Sequence, residues 1–307
     1  MTPPLGESIW IFHAGALGDH VLIWPLVRSL ARQGTRVTVV AAESHARLCE
    51  REVGESVHGE GPGLVIGIAS ESARYTGLWA GRTPTGPEVI RGVSTVVTFI
   101  ADDHADAGRT WIKSAGLMFP GARIMCVGQP GSASRASLWA EARADEFGGV
   151  SPAPRGGRDI VLFAGAGGAA KRWPVERWRG LAERLGDERV GDLAPIGLYA
   201  GPVEAEKFSA SERAAFQAAG GRFFDPPDDL GYLARWLRHM GLFVGADTGP
   251  THLAAQLGVP TLALFGPTDP RIWKPVGPRV QVLAPPTPQP MTWLSVERVA
   301  DAIREML

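Results

Sequence analysis

An acid, two threonines and a histidine surround a Gly-Pro pair in GADTGPTHLAAQLG, residues 245–258. The apolar run GLFV before them and VPTLALF after them read as buried strands, and Pro250 suits a first helical position, so the unit is strand, tight loop, helix, strand. That arrangement puts Thr248, Gly249, Thr251 and His252 at a helix N-terminus, directly after Asp247. Several backbone N–H groups there have no helical partner and the helix dipole favours negative charge, so the corner is suited to an anion, and a phosphate is the working expectation.

A second glycine-rich stretch, AGAGGAAKRWP, has the makings of an anion cradle. Gly165, Gly167 and Gly168 let backbone approach a ligand, and Lys171 follows just before a helix start. The chain has only four lysines, Lys113, Lys171, Lys207 and Lys274. A lysine beside such a loop is a compact point charge for a phosphate; the plain alternative is a solvated surface lysine. Trp173 and Trp178 are expected to pack beneath the loop. Glu204, in AGPVEAEK, follows the next strand and has the chemistry to accept hydrogen bonds from a ribose diol, or it is an exposed helix residue. ADDHAD, residues 101–106 being ADDHAD in the order Ala101 to Asp106, matches no metal-ligand spacing and reads as a solvated loop.

The first loop, HAGALGDH, differs in charge. A dinucleotide fingerprint wants GxGxxG, but His13 stands where the first glycine belongs and only Gly15 and Gly18 remain. Glu43, after the second strand, mimics the ribose-binding acid of that fingerprint. Asp19 opposes it, because a carboxylate at the helix start repels the pyrophosphate that should sit there. Asp19 therefore reads either as a helix N-cap or as a functional acid.

The rest of the chain supplies the frame. At 307 residues with 45 % hydrophobic content it forms one large or two ordinary globular domains. A formal net charge of −1 without basic blocks argues against nucleic acid as a partner. Cys49 and Cys126 lie far apart without CxxC spacing, so a reducing cytoplasm is the expected compartment. There is no signal-peptide pattern, and no apolar run approaches the ~20 residues that span a bilayer.

SIWIFHA and TRVTVVAA read as strands flanking one helix, VLIWPLVRSLARQ, that Gly34 stops. Residues 54–92 have poor periodicity, and VSTVVTFI at 93–100 is the next clear strand. Around 148–158 the composition turns to Gly, Pro and Ser, a domain hinge. Beyond it DIVLFA, IGLYA, RFFD and RVQVL are strands, DDLGYLARWLRHM a helix, and LSVERVADAIREML an amphipathic final helix with Val296, Val299, Ala300, Ile303 and Leu307 on one face. The fold class is α/β, two doubly wound domains facing a cleft.

GALGDHVLIWPLVRSL, then KRWPVERWRGLAERL, then FVGADTGPTHLAAQLGVPTLALFGPTDP, in that order and spacing, resemble the ADP-heptose glycosyltransferases of glycosyltransferase family 9. The resemblance covers the first forty-odd residues and nearly all of the second half. It implies GT-B architecture with two Rossmann-like domains: an acceptor-side domain at 1–150 carrying the base, a nucleotide-sugar donor domain at 158–285, and a final helix at 294–307 packing back on the N-terminal domain. It further implies that Asp247, Thr248, Gly249, Thr251, His252 and Leu253 line the donor site, that Lys171 contacts the diphosphate, and that Glu204 contacts the ribose. The family's catalytic aspartate falls on Asp19.

The implied reaction is inverting transfer of a sugar, heptose from an ADP-linked donor, to a hydroxyl of a lipopolysaccharide-type or other glycan acceptor. No cofactor and no metal are required, and peripheral contact with the inner membrane face is an expectation. Two competing readings are a non-catalytic nucleotide-sugar-binding protein and an NAD-dependent oxidoreductase using the first loop and Glu43.

Overall fold

The computed structural model describes residues 7–57, 63–100, 105–127, 159–187, 196–201, 206, 208–223 and 230–307. The chain divides into two compact units, residues 1–149 and 150–307. Among the described residues no helix is long and apolar enough to cross a membrane.

The first unit is built on five strands, β1 (Ser8–Phe12), β2 (Arg36–Ala41), β3 (Leu64–Ala69), β4 (Thr95–Thr98) and β5 (Arg123–Cys126), in the order β3-β2-β1-β4-β5. Every pairing is parallel. Parallel strands are joined by crossovers that cover both faces of a sheet, and so β1 and β2 are apolar almost throughout. On one side Trp10 and Phe12 pack with Tyr75, Trp111 and Phe119, with the Phe12 and Trp111 rings 5.1 Å apart edge to face. Such aromatic pairs contribute about 0.5–1.5 kcal/mol beyond area burial.

Two features depart from the sequence reading. The single helix expected after β1 is two, Leu17–Leu22 and Trp24–Arg32, joined at Ile23. Pro25 lies in the first turn of the second helix, where its missing N–H costs nothing; within a continuous helix that same position would have broken a hydrogen bond. The stretch 54–92, unreadable by periodicity, contains the end of a helix, Glu43–Val57, and all of β3. Gly67 explains the irregular appearance: a Cβ there would lie 2.2 Å from the Ala46 carbonyl oxygen, so the glycine is a strand residue that lets the helix backbone lie against the sheet.

The second unit has six strands, β6 (Ile160–Phe163), β7 (Ile196–Ala200), β8 (Arg222–Phe223), β9 (Leu242–Ala246), β10 (Thr261–Leu264) and β11 (Val280–Leu283), ordered β11-β10-β9-β6-β7-β8 and again wholly parallel. Counted from its own first strand, this is the 3-2-1-4-5-6 order of doubly wound nucleotide-binding folds. β6, β9 and β10 are buried along their whole length. Trp173 and Trp178 are almost completely buried and meet edge to face at 4.9 Å, as expected of packing residues.

The final helix, Val296–Met306, contributes to the core of the second unit. Val299, Ala300, Ala302 and Ile303 are buried in the same apolar cluster as Ile160, Trp178, Leu181 and Leu264 of the second unit. Ser295 caps the helix by accepting the Arg298 N–H at 3.3 Å, and the Trp173 indole N–H donates to the Leu294 carbonyl at 3.0 Å. Leu307, expected on the apolar face, is exposed instead. Truncating Ile303 to alanine should therefore destabilise the second unit by about 2–5 kcal/mol, read as a lower urea midpoint.

Candidate functional site: a Lys–Asp–His corner at the switch point of the second sheet

In the second unit β6 lies beside both β7 and β9, and the chain leaves β6 toward one side of the sheet and β9 toward the other. Ligands of such sheets bind outside the carboxyl ends of the strands at this point of reversal. The register pairs Phe163 with Gly245. The loop that follows β6, with Gly165 to Lys171, and the loop that follows β9, with Asp247 and Thr248, therefore start side by side.

A buried carboxylate joins them. The Lys171 ammonium donates to Asp247 Oδ2 at 2.7 Å, and His252 Nε2 is 3.1 Å from Asp247 Oδ1. Asp247 and His252 are 5 % and 3 % exposed, whereas the Lys171 side chain is about one-third exposed, at 34 %. Burial alone would raise the Asp247 carboxyl, but the hydrogen bond and charge of His252, and then those of Lys171, outweigh it and hold the group below the usual carboxylate range. Asp247 is thus an anion with a cation at the mouth of the site. An ammonium carries three donors, so Lys171 retains capacity after bonding Asp247.

Thr248 is the N-cap of the helix Gly249–Gln256, with Pro250 in its first turn and no side-chain cap. The N–H groups of that turn are left for another acceptor. Thr251 is fully buried: its hydroxyl donates to the Ala246 carbonyl at 2.6 Å and lies 3.1 Å from the Thr248 hydroxyl. Gly245 is the condition for this, since a Cβ there would come within 2.6 Å of the Thr251 oxygen. Leu253, carried into the site by the motif, is 0 % exposed and serves the core.

Gly165 is buried, while Gly167 and Gly168 are exposed and a Cβ on either would meet nothing within 4 Å. Neither has positive φ. Gly168 precedes a single 3-10 turn, Ala169–Lys171, that presents the lysine. Glu204 and the segment 101–104 of ADDHAD lie outside the described residues; Asp106 caps nothing and pairs with Arg109. Among the described residues no group of three His, Cys, Asp or Glu side chains is placed to hold a metal. In the loop after β10, the Thr268 hydroxyl is enclosed without a hydrogen-bond partner among the described residues.

The first loop follows β1, at the corresponding reversal of the first sheet. Asp19 is not the N-cap of its helix. Ala16 occupies that position and Asp19 is third in the helix, half-buried in the first turn. Gly15 is enclosed by its neighbours: a Cβ would lie 2.7 Å from Asp19 Cβ, 2.7 Å from His13 Cε1 and 2.9 Å from Asp19 Oδ2. The Asp19 carboxylate thus borders the glycine where a pyrophosphate would need to approach, and Glu43 is engaged in an exposed pair with Arg47. These observations disfavour the oxidoreductase reading.

Two doubly wound parallel-sheet units, each with a glycine-containing loop at its point of reversal, place the chain in the GT-B class of fold. Solved structures share it: an E. coli heptosyltransferase WaaC with ADP matches 98 % of this chain and 100 % of its own at TM-score 0.60 and 18 % identity, and a family 9 glycosyl transferase from Veillonella parvula matches 99 % and 98 % at TM-score 0.64 and 17 % identity. The model of glycosyltransferase family 9 (heptosyltransferase) matches residues 124–297, more than half of the chain, and the chain belongs to that family. Lipopolysaccharide heptosyltransferase 1 of Pseudomonas aeruginosa is 36 % identical over 122 residues, 39 % of this chain and 32 % of that protein. The E. coli K12 protein of the same name is 36 % identical over 102 residues, 33 % of this chain and 29 % of its own length. The matched stretch thus spans about a third of these curated relatives.

Behind Asp19 stands a group that no motif announced. The His13 and His20 rings are 5.4 Å apart, and His20 stacks on His45 at 5.3 Å. Burial, and then the proximity of His45, lower His13 to about 4; burial also lowers His20, well below the ordinary value, and His45. In the unfolded chain all three titrate near 6.5. The unfolded state therefore takes up protons that the folded state refuses, and stability is full above pH 6.5 and falls as pH drops toward 4. His13 alone accounts for a loss of about 3 kcal/mol across that window. Urea midpoints at pH 7.5 and pH 5 should show this fall, and His20→Leu should make it shallower.

Proposed function

We propose that the protein is an inverting glycosyltransferase that moves heptose from ADP-heptose to a hydroxyl of a lipopolysaccharide-type acceptor. The observation that carries the donor half is the convergence of Lys171 with the open N-terminus of the helix Gly249–Gln256 at the reversal point of the second sheet. Both supply positive potential to one place, as a diphosphate needs. Gly167 and Gly168 support the same reading: neither packing nor φ requires glycine there, and the missing side chains leave the backbone open to a ligand. Family membership and the E. coli structure solved with ADP agree with an ADP-linked donor.

Asp19 is the base in this scheme. It takes the proton from the acceptor hydroxyl, whose oxygen bonds to the anomeric carbon as the bond from that carbon to the diphosphate breaks; attack opposite the leaving group inverts the centre. ADP departs as an anion whose charge Lys171 and the helix N-terminus neutralise. These fixed charges let the reaction proceed without a metal. Asp247 holds Lys171 and His252 in place, and Thr248 and His252 offer polar atoms to the donor, with Glu204 as the ribose contact. An acceptor of that class would be met on the cytoplasmic side of the inner membrane, with which the protein would make peripheral contact.

A non-catalytic binding protein would keep the second-unit site and gain nothing from Asp19. The two readings separate experimentally. Saturating ADP, at about a hundred times its dissociation constant, should stabilise the wild type by roughly 2.7 kcal/mol in a thermal shift, and Lys171→Ala should lose most of that gain. Asp19→Ala should retain the ADP shift and lose about 10²–10⁴-fold in heptose transfer from ADP-heptose. Undiminished transfer in that variant removes Asp19 as base, and absence of an ADP shift in the wild type removes the donor site.

A further inference from the structure

Lys171 opens a run of three residues whose side chains are bonded to three different parts of the second unit. Lys171 reaches Asp247 after β9 at 2.7 Å, and the Trp173 indole donates to the Leu294 carbonyl after β11 at 3.0 Å. Between them Arg172 Nη1 donates to Glu212 Oε1 at 3.3 Å, in the helix Ala210–Ala218 that lies between β7 and β8 in the chain. The Arg172 side chain is only 17 % exposed, so this is more than a solvated surface pair.

Glu212 is engaged at both oxygens. Its Oε2 accepts the Ser209 N–H at 2.8 Å while the Ser209 hydroxyl accepts the Glu212 N–H at 3.2 Å, a reciprocal cap of the helix start that leaves Oε1 to Arg172. The guanidinium also lies over the Phe208 ring, 5.5 Å from its centroid, and Phe208 is buried against Phe216 and Phe223. Arg172 thus contacts the chain just where it enters the helix Ala210–Ala218. A planar guanidinium with its donors on a fixed fork sets direction there as well as distance.

β7 flanks β6 on the side away from β9 and is the second strand of the nucleotide-binding order. In folds of this order the chain after the first strand meets the phosphates, and an acid after the second strand bonds the ribose. In sequence Glu204 stands between β7 and Phe208. We propose that Arg172 is a positioning residue for the donor nucleoside: by holding Phe208 and the Ser209–Glu212 cap, it fixes the end of the segment after β7 against the loop that presents Lys171, so that ribose and diphosphate are met at a set spacing. The proposal rests on the reading of the second unit as an ADP-linked donor site with Glu204 as its ribose contact. Arg172 acts through Glu212 and Phe208, and its contribution is preorganisation, since a segment already held need not be ordered by the ligand.

The charges give a test in which two explanations differ in sign. Glu212→Gln keeps an oxygen for the Ser209 N–H, so the cap survives, but it removes the charge that Arg172 pairs with. Loss of a carboxylate near an anion site strengthens ADP binding if only charge matters, whereas here it weakens it. In isothermal titration of the full chain, Arg172→Met and Glu212→Gln should each weaken ADP about 10-fold and leave inorganic pyrophosphate within about twofold of wild type, and the double variant should be no weaker than either single one. Glu204→Ala should cost less in the Arg172→Met background than in wild type. In heptose transfer the KM for ADP-heptose should rise in both single variants with kcat unchanged.

Equal loss of ADP and pyrophosphate in Arg172→Met makes Arg172 a direct anion contact and overturns the proposal. So does wild-type or tighter ADP binding by Glu212→Gln, or additive loss in the double variant. Glu212 is 43 % exposed, so its amide variant carries the test even where Arg172→Met folds poorly. A wild type that binds no ADP removes the donor site and this proposal together. ADP binding that Lys171→Ala abolishes, and that Arg172→Met and Glu212→Gln leave intact, removes the role of Arg172 alone.

Discussion

The buried carboxylate of Asp247 is the constraint on which the candidate site depends. An ion taken out of water is costly unless its oxygens are bonded, and Asp247 satisfies this with one partner from each side: Lys171 from the loop after β6 and His252 from the helix after β9. The His252 contact is local, whereas the Lys171 contact spans 76 residues. It exists because β6 and β9 are adjacent strands of one parallel sheet. The strand order is thus a precondition of the charge arrangement, and the charge arrangement is what brings a lysine to a helix N-terminus.

Glycine is used in opposite ways on the two sides of this corner. At Gly245 its job is internal, because the space that a Cβ would take is filled by the Thr251 oxygen bound to the Ala246 carbonyl. That packing sets the angle at which the chain enters the helix. At Gly167 and Gly168 no described atom lies within 4 Å of that space. One glycine makes the site rigid and the other two keep it open, and a motif pattern that counts glycines cannot tell these apart.

Much of the second unit was readable because its central strands are covered on both faces and so appear as unbroken apolar runs, as in LFVGA and TLAL. The helix start at Thr248 was readable for a different reason, the Gly-Pro pair. In the first unit β3 was hidden by glycines whose purpose is a close helix-on-strand approach, a tertiary fact with no local signature. The final helix showed its apolar stripe in Val299 and Ile303, but a stripe does not name the surface it meets, which includes the core of the second unit. Lys171 and Asp247 were each placed in the donor site from sequence, while their ion pair was not; the histidine cluster was missed because His13, His20 and His45 become neighbours only once the first sheet is formed.

The two units put loops of opposite charge at equivalent places in their folds. After β6 the loop presents a lysine, and a helix N-terminus beside it adds to the positive potential; after β1 the loop places Asp19 in the first turn of a helix. A carboxylate there is stabilised by the same dipole that would otherwise attract a phosphate, so the first loop has its anion built in and the second waits for one.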